Sequence, residues 1–221
     1  MPIAVRVWDL PTRIFHWSLV LCVIGSVTTA LTGGNAMLWH FRFGYTIASL
    51  LLFRIVWGFV GGRWSRFASF IYSPASTLRY LRGEGRPEDA IGHNPLGAAS
   101  IFAMLVFLLA QVGSGTFSDD EIAASGPFAK FVSEATVRSA TYYHKNIGKY
   151  VVLALILLHI AAIVFYLVRR KQNLSRAMVR GDKTVEAKVQ SSRDDARSRI
   201  GAGVLFALCA GLVGWIVKTA G

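Results

Sequence analysis

TYYHKNIGKYVVLALILLHIAAIVFYLVRR, residues 141–170, reads for most of its length as a helix made to sit in hydrocarbon, yet it holds His144 near its start and His159 in its middle. An ionisable side chain at membrane depth is costly, so two on one helix mark a functional site unless a structural reason is found.

The chain around this stretch is of the same kind. Of its 221 residues 53% are hydrophobic and 16% charged, where a soluble domain carries about a quarter of its residues as charges. Five apolar runs, at 14–32, 41–60, 95–113, 147–168 and 200–217, are each long enough to cross ~30 Å of hydrocarbon as a helix. The first is longer than a signal-peptide core and follows RVWDLPTR, so it reads as a retained span.

A net charge of +12 could point to nucleic acid, and the placement of the charge argues against it. Of 24 Lys and Arg, 17 fall before the first span, between the second and third, or between the fourth and fifth: Arg6 and Arg13; Arg63, Arg66, Arg79, Arg82 and Arg86; and ten from Arg169 to Arg199. The alternate connections are poor in basic residues: 33–39 has no charge, and 114–143 sets Lys130 and Arg138 against Asp119, Asp120, Glu121 and Glu134. Basic loops stay inside, which predicts a multi-pass protein with a cytoplasmic N-terminus and an outer C-terminus.

All five histidines lie in or at the ends of the first four spans: His16, His40, His93, His144 and His159. With that topology, His16 and His159 belong to the cytoplasmic half, and His40 and His144 to the outer face. His144 and His159 are fifteen residues apart, about 22 Å along a helix and within roughly 60° of one direction. Two stacked sites follow, each fed by two helices. Bis-imidazole ligation of haem iron leaves no open position and suits electron transfer, whereas zinc wants four ligands that the spans do not cluster. The economical reading is two non-covalent haems b: an inner one on His16 and His159, an outer one on His40 and His144. Unrelated or pore-lining histidines are the alternative.

Arg54 lies fourteen residues past His40, about 21 Å deeper on nearly the same face, where its guanidinium could meet an inner haem propionate or instead snorkel to headgroups. Arg13 could serve the inner haem and Arg42 the outer one, or both could be interfacial anchors. Gly25, Gly44, Gly113 and Gly148 would leave room for a flat macrocycle. His93, beside Asn94 and Pro95, could contact a propionate, bind a quinone or cap the third span; the cap is favoured. Cys22 and Cys209, each alone in a span, read as packing residues, and no covalent haem motif is present.

The loop 61–92 suggests a short amphipathic surface helix over Pro74–Leu81, and 169–199 a partly helical basic segment held at the inner leaflet. The acidic loop 114–143 is the natural docking surface for an outer partner. The fifth span spaces Gly203, Ala207 and Gly211 four apart, which suits close helix packing, either on the bundle or in a homodimer.

Taken together, RVWDLPTRIFHW, TGG, WHFRFGY, FRIVWGFVG, GHNPLGA, HKNIGKY with its later LLH, and NLSRAMVRGDK resemble the bacterial cytochrome b561 family, in the branch related to nickel–iron hydrogenase b subunits, over about residues 5–185. The resemblance implies a four-helix membrane bundle that carries b haems and passes electrons between quinone and a second carrier. It implies His16 and His40 as the first- and second-helix ligands and His144 and His159 as the fourth-helix pair. In the family the fourth-helix spacing is one residue shorter than here, so His144 needs a local wide turn or a place just off the helix.

The expected architecture is thus an all-α membrane protein: a four-helix cytochrome domain over 1–185, then a basic linker and extra helix over 186–221. The expected activity is electron transfer between the quinone pool and an outer redox protein, a c-type cytochrome or a dehydrogenase or hydrogenase subunit. A stand-alone quinone reductase using a small reductant such as superoxide, and a haem-free transporter or scaffold, are the rival classes. No nucleophile–base constellation or phosphate loop supports a hydrolase or kinase.

Overall fold

The computed structural model describes residues 3–85, 91–120, 124–185 and 189–220; Arg86 and Glu121 lie outside them. The long helices are α1 (Leu10–Thr32), α2 (Met37–Val60), α4 (Pro95–Thr116), α6 (Lys149–Arg169) and α8 (Ala196–Ala220), and the short ones α3 (Pro74–Leu81), α5 (Glu134–Tyr142) and α7 (Leu174–Arg180). Among the described residues, five helical stretches are long and apolar enough to cross a membrane. The fourth runs from Glu134 to Arg169 without a break, thirteen residues earlier than the apolar run at 147–168 suggests, because α5, a π-helical turn (Tyr143–Gly148) and α6 are continuous.

Large apolar side chains point outward along these helices, among them Leu21, Leu31, Val106, Leu157, Leu158, Phe165 and Leu208. Such a surface is untenable in water and fits hydrocarbon. The TGG motif turns α1 into α2 through Gly33 and Gly34, both at positive φ (68° and 54°), which only glycine adopts cheaply.

The chain divides into two compact units, each drawing on parts of all five long helices. The first comprises Met1–Phe15, Arg54–Ala103 and Leu158–Val204. Here Ile3–Arg6 (β1) pairs antiparallel with Asp182–Val185 (β2), a two-stranded element the sequence reading lacks. Val5, Val7, Trp8, Ile91 and Ala177 form its apolar core, with Trp64 and Met178 packed against them. The segment after β2 is tied in: Ser192 N–H donates to Arg6 O (2.7 Å), Leu10 N–H to Asp194 Oδ1 (3.0 Å) and Trp64 Nε1 to Gln190 O (3.0 Å). The amphipathic helix expected at 74–81 is α3, with Ser73 accepting from Ser76 N–H (3.2 Å) as its N-cap and Pro74 at its first position. The basic segment holds α7, capped by Asn173 and ended by Gly181 at φ 90°.

The second unit comprises His16–Phe53, Met104–Leu157 and Leu205–Gly221. Ile47, Leu50, Leu51 and Phe53 of α2 are buried in it, and Phe53 meets Phe206 of α8 edge-on at 6.2 Å. The buried positions of α8 are Ser198, Ala202, Cys209, Val213 and Ala220. The stripe Gly203, Ala207 and Gly211 is exposed, so the helix does not dock through it.

Candidate functional site

His40 and His144 come together in the second unit. Their ring centroids are 6.0 Å apart and the rings stand at 85°. Each ring is fixed through Nδ1: that of His40 lies 2.9 Å from Ser26 O and 3.1 Å from Ser26 Oγ, and that of His144 lies 2.8 Å from Gln111 O. A carbonyl oxygen only accepts, so both Nδ1 atoms carry the proton and both Nε2 atoms keep their lone pairs for a metal.

The residues present fit a bis-imidazole site. Two imidazoles bound through Nε2 at about 2 Å from one metal have ring centres about 6 Å apart, and 6.0 Å is found. A Cβ on Gly44 or Gly113 would meet nothing within 4 Å, as space for a planar group beside the pair requires. Gly25 and Gly148, expected to do the same, serve protein packing: a Cβ on Gly25 would strike the Phe43 ring (2.6 Å), and one on Gly148 would strike the Gln111 side chain. Gly115 makes room for His144 itself, whose Cε1 would lie 2.8 Å from its Cβ.

The wide turn that the fifteen-residue spacing requires is present. His144 lies within the π turn Tyr143–Gly148, which absorbs one extra residue and re-aims the side chains that precede α6.

In the first unit Arg54 is only 4% exposed, its Cζ 4.8 Å above the Phe67 ring, in the field of the Asp9 carboxylate. That burial rules out snorkelling. Its Nη1 has no hydrogen-bond partner among the described residues, leaving a buried cationic donor for an anion such as a propionate. Asp9 is fully buried and accepts from Thr12 N–H (2.8 Å), Gly62 N–H (3.1 Å), Ser65 Oγ (2.7 Å) and Trp57 Nε1 (3.3 Å). It caps α1 and anchors the end of α2 together.

His93 does not cap α4; Asn94 does, its Oδ1 accepting from Gly97 N–H at 2.7 Å. The His93 ring lies instead between Trp8 and Phe70, each centroid 4.5 Å away. Burial, aided by the Arg54 charge, pushes it down to about 3, so it is neutral at ordinary pH. Arg13 donates from Nη1 to Val179 O at 2.6 Å, and Arg42 is exposed, with Cζ 4.7 Å over Trp39. His16 belongs to the second unit, edge-on to Trp17 at 5.0 Å; His159 belongs to the first.

Sequence reasoning passed over Asp9, Ser26 and Gln111. Asp9 and Gln111 had a visible signal: a carboxylate at the mouth of one span and an amide inside the apolar run LLAQVGSG.

The family model for prokaryotic cytochrome b561 matches residues 7–181. Among curated relatives, the probable Ni/Fe-hydrogenase 1 B-type cytochrome subunit of Escherichia coli K12 is 30% identical over 151 residues, 57% of this chain and 64% of the relative, so the match spans less than two thirds of that protein. The probable Ni/Fe-hydrogenase B-type cytochrome subunits of Rhizobium leguminosarum bv. viciae (24% identical; 81% of this chain, 89% of the relative) and Rhodobacter capsulatus (26%; 82% of each) align over most of their length. No solved structure matches. With five membrane-capable helices and most of the chain inside the family model, this protein belongs to the prokaryotic cytochrome b561 family of membrane b-type cytochromes.

Proposed function

We propose that the chain is a dihaem b-type cytochrome that moves single electrons across the bacterial inner membrane between the quinone pool and a redox protein on the outer side. The observation that carries this reading is the His40–His144 pair, with centroids 6.0 Å apart and both Nδ1 atoms committed to carbonyls. Haem b, when bound, supplies one-electron chemistry; the protein supplies axial nitrogens, orientation and insulation from water. Ser26 and Gln111 hold the two rings in their ligating tautomer.

His16 and His159 are assigned to the second, inner haem from their positions along the first and fourth spans. Arg54, with Asp9 as its counter-charge, is assigned to an inner propionate, where a fixed cation favours the reduced state. Arg13 is assigned to the same end, and Arg42 to the outer one. His93, neutral and set between the tilted Trp8 ring and the edge-on Phe70 ring, suits a quinone carbonyl or propionate rather than a charged role.

The distribution of basic residues supports a cytoplasmic N-terminus and an outer face at 114–143. The relatives' names favour a hydrogenase-type subunit as the outer partner, with a c-type cytochrome as the second choice. A homodimer would use the exposed stripe of α8. The first 185 residues act as the cytochrome domain, and 186–221 as linker and accessory helix.

The test is reduction of the detergent-purified chain by a water-soluble quinol, followed at the haem α band, then reoxidation in proteoliposomes by external ferricyanide. Quinol-dependent reduction with external reoxidation supports the proposal. Absence of any haem band contradicts it and favours the transporter or scaffold.

A further inference from the structure

Gln111 is the one long polar side chain within α4 after Asn94, and its position is energetically awkward. It lies in an apolar run, and its Oε1 is buried with no hydrogen-bond partner among the described residues. A buried acceptor left unmade is costly, so the amide does not serve stability alone. What it does serve is visible at His144. The Gln111 carbonyl accepts the His144 Nδ1 proton (2.8 Å), and the Gln111 Nε2 donates to the His144 carbonyl (3.0 Å). One residue of α4 thus grips both the ring and the main chain of one residue in the π turn.

The surroundings are shaped for this grip. Gly148, the last residue of the turn, lacks the Cβ that would collide with the Gln111 side chain, and Gly115, one turn along α4, lacks the Cβ that would collide with the imidazole. Ser114 Oγ adds a longer contact to His144 Nδ1 at 3.4 Å. A π turn exchanges α-type hydrogen bonds for wider ones and is marginal without outside support; the Gln111 amide gives that support to the carbonyl of the ligand residue.

We infer that Gln111 is a positioning residue for the outer haem: its two-point clamp stabilises the wide turn that accommodates the extra residue between His144 and His159, and so holds the His144 imidazole in ligating position. The inference rests on the outer pair being a haem site.

The test compares the full chain with Gln111→Leu, and with Gln111→Leu combined with deletion of Asn146, which shortens the spacing by one residue and removes the need for a wide turn. Haem per protein by pyridine haemochrome and the low-spin ferric EPR signals are measured after detergent washing. Gln111→Leu keeps the main-chain acceptor of His144 Nδ1 and removes the amide bond to the His144 carbonyl, and the inference predicts outer-haem binding weakened about 3–10-fold, the usual effect of losing one hydrogen bond. It also predicts that the inner-haem signal survives and that the deletion restores the outer one. Unchanged haem content and EPR in Gln111→Leu would overturn it. Loss of both haems without rescue would also overturn it, by showing a general packing role. A starting chain with no His144-dependent haem would instead overturn the functional reading on which it rests.

Discussion

The imidazole of His40 faces that of His144 at 6.0 Å between centroids and 85° between planes, each ring held through Nδ1 by a carbonyl of a neighbouring helix. Nothing in the packing of two neutral rings demands this arrangement. Under the proposed function the remaining nitrogen of each ring is an axial ligand of one haem.

Gly115 permits the arrangement. A Cβ there would lie 2.8 Å from the His144 Cε1, so Gly115→Ala pushes the ring off axis. We expect loss of one low-spin haem signal and destabilisation of about 1–3 kcal/mol from overpacking. Gly44→Ala meets open space and leaves the apoprotein fold unchanged. EPR and thermal melting of the two variants check the contrast.

Asp9 carries the join between the N-terminal segment and the end of α2. Asp9→Ala strands Gly62 N–H, takes one partner each from Ser65 Oγ and Trp57 Nε1, and removes the cap of α1. A loss on the order of 3–5 kcal/mol is expected, with Asp9→Asn milder because one oxygen still accepts. The readout is the melting temperature in detergent.

For Arg54 the expected effect is on redox poise. Arg54→Leu removes a buried cation, which under the proposed propionate role lowers the inner-haem midpoint potential. Arg54→Lys keeps the charge, loses the fork geometry, and falls between the two. Redox titration of the two variants distinguishes them.

How much of this the sequence carried depends on the kind of interaction. The five spans were legible because hydrophobic length is a one-dimensional property, and the wide turn at His144, one of two accommodations the resemblance implied, because the fifteen-residue spacing could be set against the family's. Gln111 and Ser26 were not legible as partners, since a side chain's or carbonyl's contact on another helix is set by rotation about the helix axis, which composition does not encode. The β1–β2 pairing escaped for a similar reason: four-residue strands separated by some 175 residues have no local period to read. Misassigning the cap to His93 rather than Asn94 was a local error that capping preference alone would have corrected.

His93 gives a pH dependence of defined sign. Its folded value of about 3 lies below the ordinary 6.5, so between those limits the unfolded chain binds a proton that the folded chain does not. Stability is therefore full above pH 6.5 and falls as the pH drops through that window, by at most about 1.4 kcal/mol per pH unit. His93→Phe should flatten that part of the profile, as measured by denaturation at stepped pH.

The central claim is that two pairs of histidines each hold a haem b. Pyridine haemochrome on the purified chain, with His16→Ala, His40→Ala, His144→Ala and His159→Ala alongside, tests it directly. The account predicts about two haems per chain, falling to about one in each variant. A ratio of about one that is indifferent to His40→Ala and His144→Ala, or no haem at all, would contradict it.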